Sequence, residues 1–263
     1  MSRLAPALLE DGSPGESPLH RHDARVKVVV ALSLIAGITL TPAGAWVAYA
    51  ALWALVASLA AVGRLGVWQV ARRGGVALPF ALAAATLLFT TPGDPLLTFA
   101  GLTITSSGAV RFAAILLKSW LAVQVALILS MTTPFTDLLW ALNCLHVPGT
   151  LVAIISFMYR YLFTLQDEAA RLTRARAARS GALSGQRSGG GIVWRAQVAG
   201  GMVGNLFLRS YERSERVYAA MLARGYSGAM RALDPPPLTW RAIGQGTLPV
   251  AVMLAIELVA VLK

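Results

Sequence analysis

Two short stretches of this chain carry an arginine between small residues. In "RARAARSGAL" the tripeptide is Ala178-Arg179-Ser180, and in "AAMLARGYSG" it is Ala223-Arg224-Gly225. Arginine holds a permanent charge and a planar fork of donors that matches a carboxylate at two points. Small neighbours leave the guanidinium unobstructed, so each tripeptide suits entry into a groove that ends in an acidic side chain. Arg-rich helices beside membranes also bind anionic lipid or enforce topology, and that reading stands beside the first. Lysine would serve lipid attraction equally well, yet residues 132–241 contain none.

Other reactive constellations are missing from the sequence. No GxxxxGK[ST] occurs, so the chain has no phosphate-cradling loop of its own. His20, His22 and His146 form no compact ligand set, and one cysteine, Cys144, allows neither an internal disulfide nor a thiolate cluster. No Ser-His-Asp or Cys-His arrangement can be drawn from so few residues. Catalytic residues, metal and cofactor are therefore all expected to be none, and a polytopic membrane enzyme is short of facing acids and bases. Lys118 and Glu257 are charges set well inside apolar runs. They are expected to pair in the outer half of a bilayer, because an isolated charge there is costly, or else to snorkel separately.

The elements that must position these residues follow from composition. The chain has 263 residues, 56% hydrophobic and 13% charged, with net charge +11. A soluble domain carries about 25% charged residues. Half that value, with long apolar runs and mean hydropathy +0.63, argues for an integral membrane protein. The 20 arginines flank apolar runs, and no nucleic-acid motif accompanies them.

The expected fold is all-α: a polytopic membrane protein of about five spans with long Arg-rich cytoplasmic helices. Residues 1–25 read as a cytoplasmic arm with prolines at 6, 14 and 18 and no cleavable signal. Residues 26–131 hold four spans, at about 26–41, 45–63, 75–91 and 109–131. Thr41-Pro42-Ala43-Gly44 splits the first apolar block, and Thr91-Pro92-Gly93 ends the third span. Residues 242–263 form the last span. Flanking arginines place the N-terminus in the cytoplasm and the C-terminus outside.

Residues 132–241 form an interfacial and cytoplasmic insert. A short helix starts at Thr133 as cap and Pro134 as first helical residue. A helix over 150–180 and another over 192–224 each begin apolar, turn Arg-rich and close on a tripeptide; "GALSGQRSGGG" connects them. On a helical wheel Arg209, Arg213, Arg216 and Arg224 share a sector about 80° wide, and Glu212 can pair with Arg216. Gly200, Gly201 and Gly204 would let the two helices cross closely. Gly225 and Ser180 would let the helix ends approach a partner.

Three stretches resemble a known family. "SPLHRHDARVKVVVALSLIAGITLTP" is similar to an H-x-L-D-P-R-x-K entry to a first span, with His22 and Ala24 as departures. "TTPFTDLLWALNCLHVPGTLVAIISFMYRYLFTLQDEAARL" resembles an S/T-T-P…L-x-x-L-x-V-P…M-Y-R-Y segment, and the Arg tripeptides follow in order. The set looks like the transmembrane T component of energy-coupling factor (ECF) transporters, in its cobalt-type CbiQ branch, over residues 17–262. The resemblance implies a multi-pass protein of a bacterial plasma membrane that binds neither substrate nor ATP. It implies two ATP-binding-cassette ATPase subunits and a membrane substrate-capture subunit for cobalt or nickel as partners, with no nucleic acid. Arg179 and Arg224 would enter the two ATPase grooves. Ser180 replaces the usual glycine. A nickel or vitamin system is the alternative within the family, and a membrane-surface scaffold is the alternative outside it.

Overall fold

The computed structural model describes residues 17, 19–20, 22–77, 84–92, 95–99, 102–179, 191–228 and 239–262. Most of the N-terminal arm, Ser180 and nearly all of the Gly/Ser-rich connector therefore lie outside the described residues. The chain divides into two compact units, residues 1–145 with 234–263, and residues 146–233.

The first unit is built on four long helices: α1 (Ala24–Leu40), α2 (Trp46–Val62), α5 (Ser106–Thr132) and α9 (Trp240–Leu262). Two of them, α5 and α9, are long and apolar enough to cross a membrane, and α2 is a shorter apolar helix. Asp23 starts α1 by accepting a hydrogen bond from the Arg25 amide at 2.9 Å. The break expected at 41–44 is present, with Gly44 at φ +96°, a conformation that favours glycine. The core lies where the long helices meet: Leu34 and Ile38 of α1, Leu52 and Val56 of α2, Leu121 and Val125 of α5, and Met253 of α9.

Contacts give the helix directions. Lys27 near the start of α1 donates to the Thr132 carbonyl at the end of α5 at 2.9 Å, while Lys118 donates to the Thr39 carbonyl near the end of α1. Hence α1 and α5 are antiparallel. Gly246 lies against Val26 and Gly37 against Met253, so α1 and α9 run parallel. A Cβ on either glycine would collide with its neighbour, which places both at close helix approaches.

The stretch expected as a single third span over 75–91 departs from one helix among its described residues. The described parts in and before it are α3 (Val67–Arg73), a 3-10 turn at Gly74–Ala77 and one helical turn, α4 (Leu87–Thr90). Trp120 Nε1 donates to the Ala71 carbonyl at 3.1 Å, and the Leu87 carbonyl lies against Gly108. The described parts on either side of residues 78–83 thus lie along α5 in the opposite sense. Between the stretches expected as third and fourth spans lies an antiparallel hairpin, β1 (Pro95–Phe99) with β2 (Leu102–Thr105). Thr105 then caps α5, accepting from the Gly108 amide while its hydroxyl donates to the Thr91 carbonyl at 2.8 Å.

The short helix α6 (Phe135–Cys144) belongs to this first unit, with Ala141 and Leu138 against Ala24 and Val28. Its cap differs from expectation. Pro134 occupies the cap position with no side-chain bond, and the buried Thr133 hydroxyl has no partner among the described residues. Pro134 fixes its own φ and offers its carbonyl to the Asp137 and Leu138 amides, which begins the helix without help from Thr133.

The expected Lys118–Glu257 pair is not formed. Lys118 bonds the Thr39 carbonyl, and Glu257 accepts from the Thr41 hydroxyl at 2.6 Å. The last carbonyls and hydroxyls of α1 satisfy each charge separately, so neither is left bare.

The second unit is a helical pair, α7 (Gly149–Arg179) and α8 (Ile192–Ala223). Pro148 offers its carbonyl to the Leu151 and Val152 amides and so begins α7. Ring pairs one turn apart, Phe157 with Tyr161 and Tyr159 with Phe163, stiffen its first half.

Candidate functional site

The two helices of the second unit pack antiparallel. Arg176 near the end of α7 lies over Trp194 at the start of α8, 6.0 Å from the ring centroid. Residues of α7 between Thr150 and Leu165, residues of α8 between Ser210 and Met221, and Tyr226 just beyond it line one cavity of about 470 Å³. Between these contacts Glu168 meets two arginines: Oε1 accepts from Arg209 Nη1 at 3.3 Å, and Oε2 accepts from Arg213 Nη2 at 3.0 Å. The Glu168 side chain is only 9% exposed. The hydrogen bond from Arg209 holds the Glu168 carboxyl below its ordinary value of 4.5; desolvation opposes this, and the Arg213 and Arg209 charges reinforce it.

Glu168 was not among the residues expected from sequence. The signal was nevertheless present. Phe157, Tyr161 and Leu165 line the cavity between the helices, and Glu168 continues that face at helical spacing. An acid on an otherwise apolar stripe requires a cation from the facing helix.

The arginines of α8 divide accordingly. Arg209 and Arg213 turn to Glu168, while Arg216 approaches Glu212 at 3.9 Å on an exposed surface. That exposed i,i+4 pair adds little. Arg224 stands apart from them, exposed and with no ion-pair partner among the described residues.

Local geometry explains the closing tripeptide of α8. Arg224 is the C-cap, and Gly225 follows at φ +82°. The Tyr226 amide bonds the Met221 carbonyl at 3.0 Å, and the Gly225 amide bonds the Leu222 carbonyl at 2.9 Å. This is a Schellman ending, in which a left-handed residue stops the helix and satisfies its last carbonyls. Gly225 thus has a conformational duty in addition to being small, and it presents Arg224 at a defined helix terminus. Gly225→Val is expected to fray the final turn at a penalty of about 1–2 kcal/mol, because the left-handed region is strained for a branched residue. Gly225→Asn should retain most of the ending. Hydrogen-exchange protection of the Gly225 and Tyr226 amides reads the difference.

At the other end, Ala178 and Arg179 are the exposed last residues of α7. Arg176 and Arg179 in the final turn suit its negative dipole end. Ser180 lies outside the described residues.

The glycines at 200, 201 and 204 do not mediate a close crossing of α7 and α8. A Cβ at any of them would meet nothing within 4 Å, and no residue of α8 is buried. The reason is their face of α8: on the helical wheel Gly200 and Gly204 lie opposite Arg209 and Arg213, on a surface shared with exposed Val203, Phe207 and Leu208. Gly37 and Gly246 instead lie at close helix approaches, in the first unit.

The cobalt transport protein family, CbiQ, matches the chain over residues 15–234. The chain belongs to the CbiQ family. Its similarity to the cobalt transport protein CbiQ of Rhodobacter capsulatus is 32% identity over 161 residues, 60% of this chain and 63% of that protein. With the energy-coupling factor transporter transmembrane protein EcfT of Listeria innocua it shares 30% identity over 242 residues, 87% of this chain and 88% of that protein. With the nickel permease LarQ of Lactiplantibacillus plantarum it shares 33% over 112 residues, 43% of this chain and 38% of that protein.

In this CbiQ-family chain the charged entry to α1 is structural. Asp23 caps the helix. Arg25 lies over the Trp140 ring of α6 at 4.1 Å, and Lys27, 9% exposed, closes the carbonyl end of α5. Three helices are tied by residues spaced two apart in sequence.

Proposed function

We propose that this protein is the transmembrane coupling subunit of an ATP-driven ECF-type cobalt importer. It links two cytoplasmic ATPase subunits to a membrane substrate-capture subunit and performs no catalysis of its own. One observation carries the reading: two exposed arginines, Arg179 and Arg224, stand at opposite ends of an antiparallel helix pair. Each is eleven residues beyond the Glu168–Arg213 contact, so the tips are about 33 Å apart along the pair. That arrangement is close to two-fold symmetric, and it suits two identical or similar grooves, one per ATPase. Closure of the ATPases on ATP would move the tips, and residues 132–241 would transmit the motion to the spans at 26–131 and 242–263. The N-terminal arm, 1–25, would lie in the cytoplasm of a bacterial cell, beneath its plasma membrane.

Exposed Val203, Phe207 and Leu208, with the open glycines beside them, suit contact with the capture subunit or the bilayer. The relatives' names favour cobalt as cargo, with nickel as the second reading because a nickel permease is among them. Purification of the tagged chain from its own cells tests both. ATPase subunits and a small membrane protein are expected to co-elute, and vesicles containing the complex should take up radioactive cobalt on ATP addition. Elution of the chain alone would overturn the reading, and preferential uptake of nickel would transfer it to the second.

A further inference from the structure

We infer that Glu168, held by Arg209 and Arg213, is the pivot that sets the angle of the two arginine-tipped helices, and so acts as a positioning residue for coupling. This rests on the function proposed above and names the element that regulates it.

The sequence spacing carries the first part of the argument. Arg179 follows Glu168 by eleven residues, and Arg224 follows Arg213 by eleven. Eleven residues make three helical turns plus about 20°, and a rise of about 16 Å. Each tip therefore projects from nearly the same side of its helix as its staple residue, at an equal lever length. A small rotation at the staple displaces both tips equally and oppositely.

The surroundings carry the second part. No residue of α8 is buried, and only Val152, Ala153 and Glu168 are buried on α7. A large apolar cavity opens between the helices on one side of the staple. Few packed side chains thus fix the angle, and the clamp of one carboxylate by two guanidiniums is the strongest directional contact that crosses the pair. Helices clamped by a polar staple with few buried side chains beside it can rotate about it, whereas an interdigitated apolar seam would not permit this.

The test uses the full-length chain in its complex, with Cys144→Ser and spin labels on Ala175→Cys and Ala220→Cys, seven residues beyond Glu168 and Arg213 respectively. Pulsed electron resonance should give one narrow distance for the otherwise native chain. Glu168→Gln should broaden it at least twofold and lower uptake about tenfold, the order expected when a buried carboxylate is neutralised between two cations. Both ATPase subunits should remain attached, since the tips are intact. The exchange Glu168→Lys with Arg213→Glu should narrow the distribution and restore uptake, a rescue that mere loss of stability would not show. A distribution that stays narrow in Glu168→Gln, or one that broadens with uptake unchanged, overturns the inference. If Glu168→Gln does not accumulate in the membrane, Arg209→Gln reads the same distance through the more exposed arm of the clamp. Failure of the native chain to bind ATPase subunits would instead count against the coupling function, and the distance measurement would still decide the pivot.

Discussion

Reversing both tip charges, Arg179→Glu with Arg224→Glu, is expected to abolish ATPase attachment and uptake while the protein still inserts. Each tip is exposed in the isolated chain, so the substitutions disturb no internal contact. In the proposed complex each guanidinium would be desolvated against a carboxylate, an interaction of about 2–5 kcal/mol when one partner is removed. Reversal adds like-charge repulsion, and two separate sites combine nearly additively. The sum exceeds what a micromolar complex can lose and survive. Affinity purification of the double variant decides the matter: an intact complex would refute the anchoring role. Single Arg179→Lys and Arg224→Lys variants separate this from lipid adsorption. A membrane surface tolerates lysine, whereas a groove built for a planar fork does not. Full uptake by both lysine variants would favour the scaffold reading.

Gly246→Leu is expected to dislodge α9 from the first unit and lower its stability by several kcal/mol. A Cβ on Gly246 would collide with Val26 Cγ1 and approach Val30 Cγ2 at 3.3 Å. Both obstacles are β-branched residues on α1, with little rotamer freedom to give way. Gly37→Ala should be milder, although a Cβ there also collides, because the obstacle is the thioether of Met253. Methionine has three rotatable bonds and can swing aside. Thermal unfolding in one detergent should therefore rank native above Gly37→Ala and Gly37→Ala above Gly246→Leu. Equal midpoints for Gly37→Ala and Gly246→Leu would show that backbone separation, rather than side-chain compliance, governs the crossing.

Much of the architecture was legible in the linear chain. The break at Thr41–Gly44, the helix starts expected at about 26 and 45 and found at Ala24 and Trp46, and the long helices expected to end at 180 and 224 and found to end at Arg179 and Ala223 rest on local rules. Apolar runs, turn residues and end signals act within a few residues, so reading along the sequence finds them. The same holds for the Glu212–Arg216 pair, one helical turn apart.

Tertiary structure decided everything that depended on which faces meet. Gly200, Gly201 and Gly204 have the composition of a close crossing, but Gly37 and Gly246 occupy one, because only a neighbouring helix whose side chains fill the space gives a missing Cβ its purpose. Lys118 and Glu257 share a depth in sequence, yet each finds a nearer oxygen at the end of α1. The stretch expected as the third span is not one helix among its described residues: a 3-10 turn occupies Gly74–Ala77 and a separate short helix Leu87–Thr90. Glu168 shows the division most clearly. Sequence alone determined that an acid lies on an apolar stripe among arginines. Only the antiparallel approach of α8 determined that Arg209 and Arg213 would hold it, because a buried charge selects its partner by distance in space and not by separation along the chain.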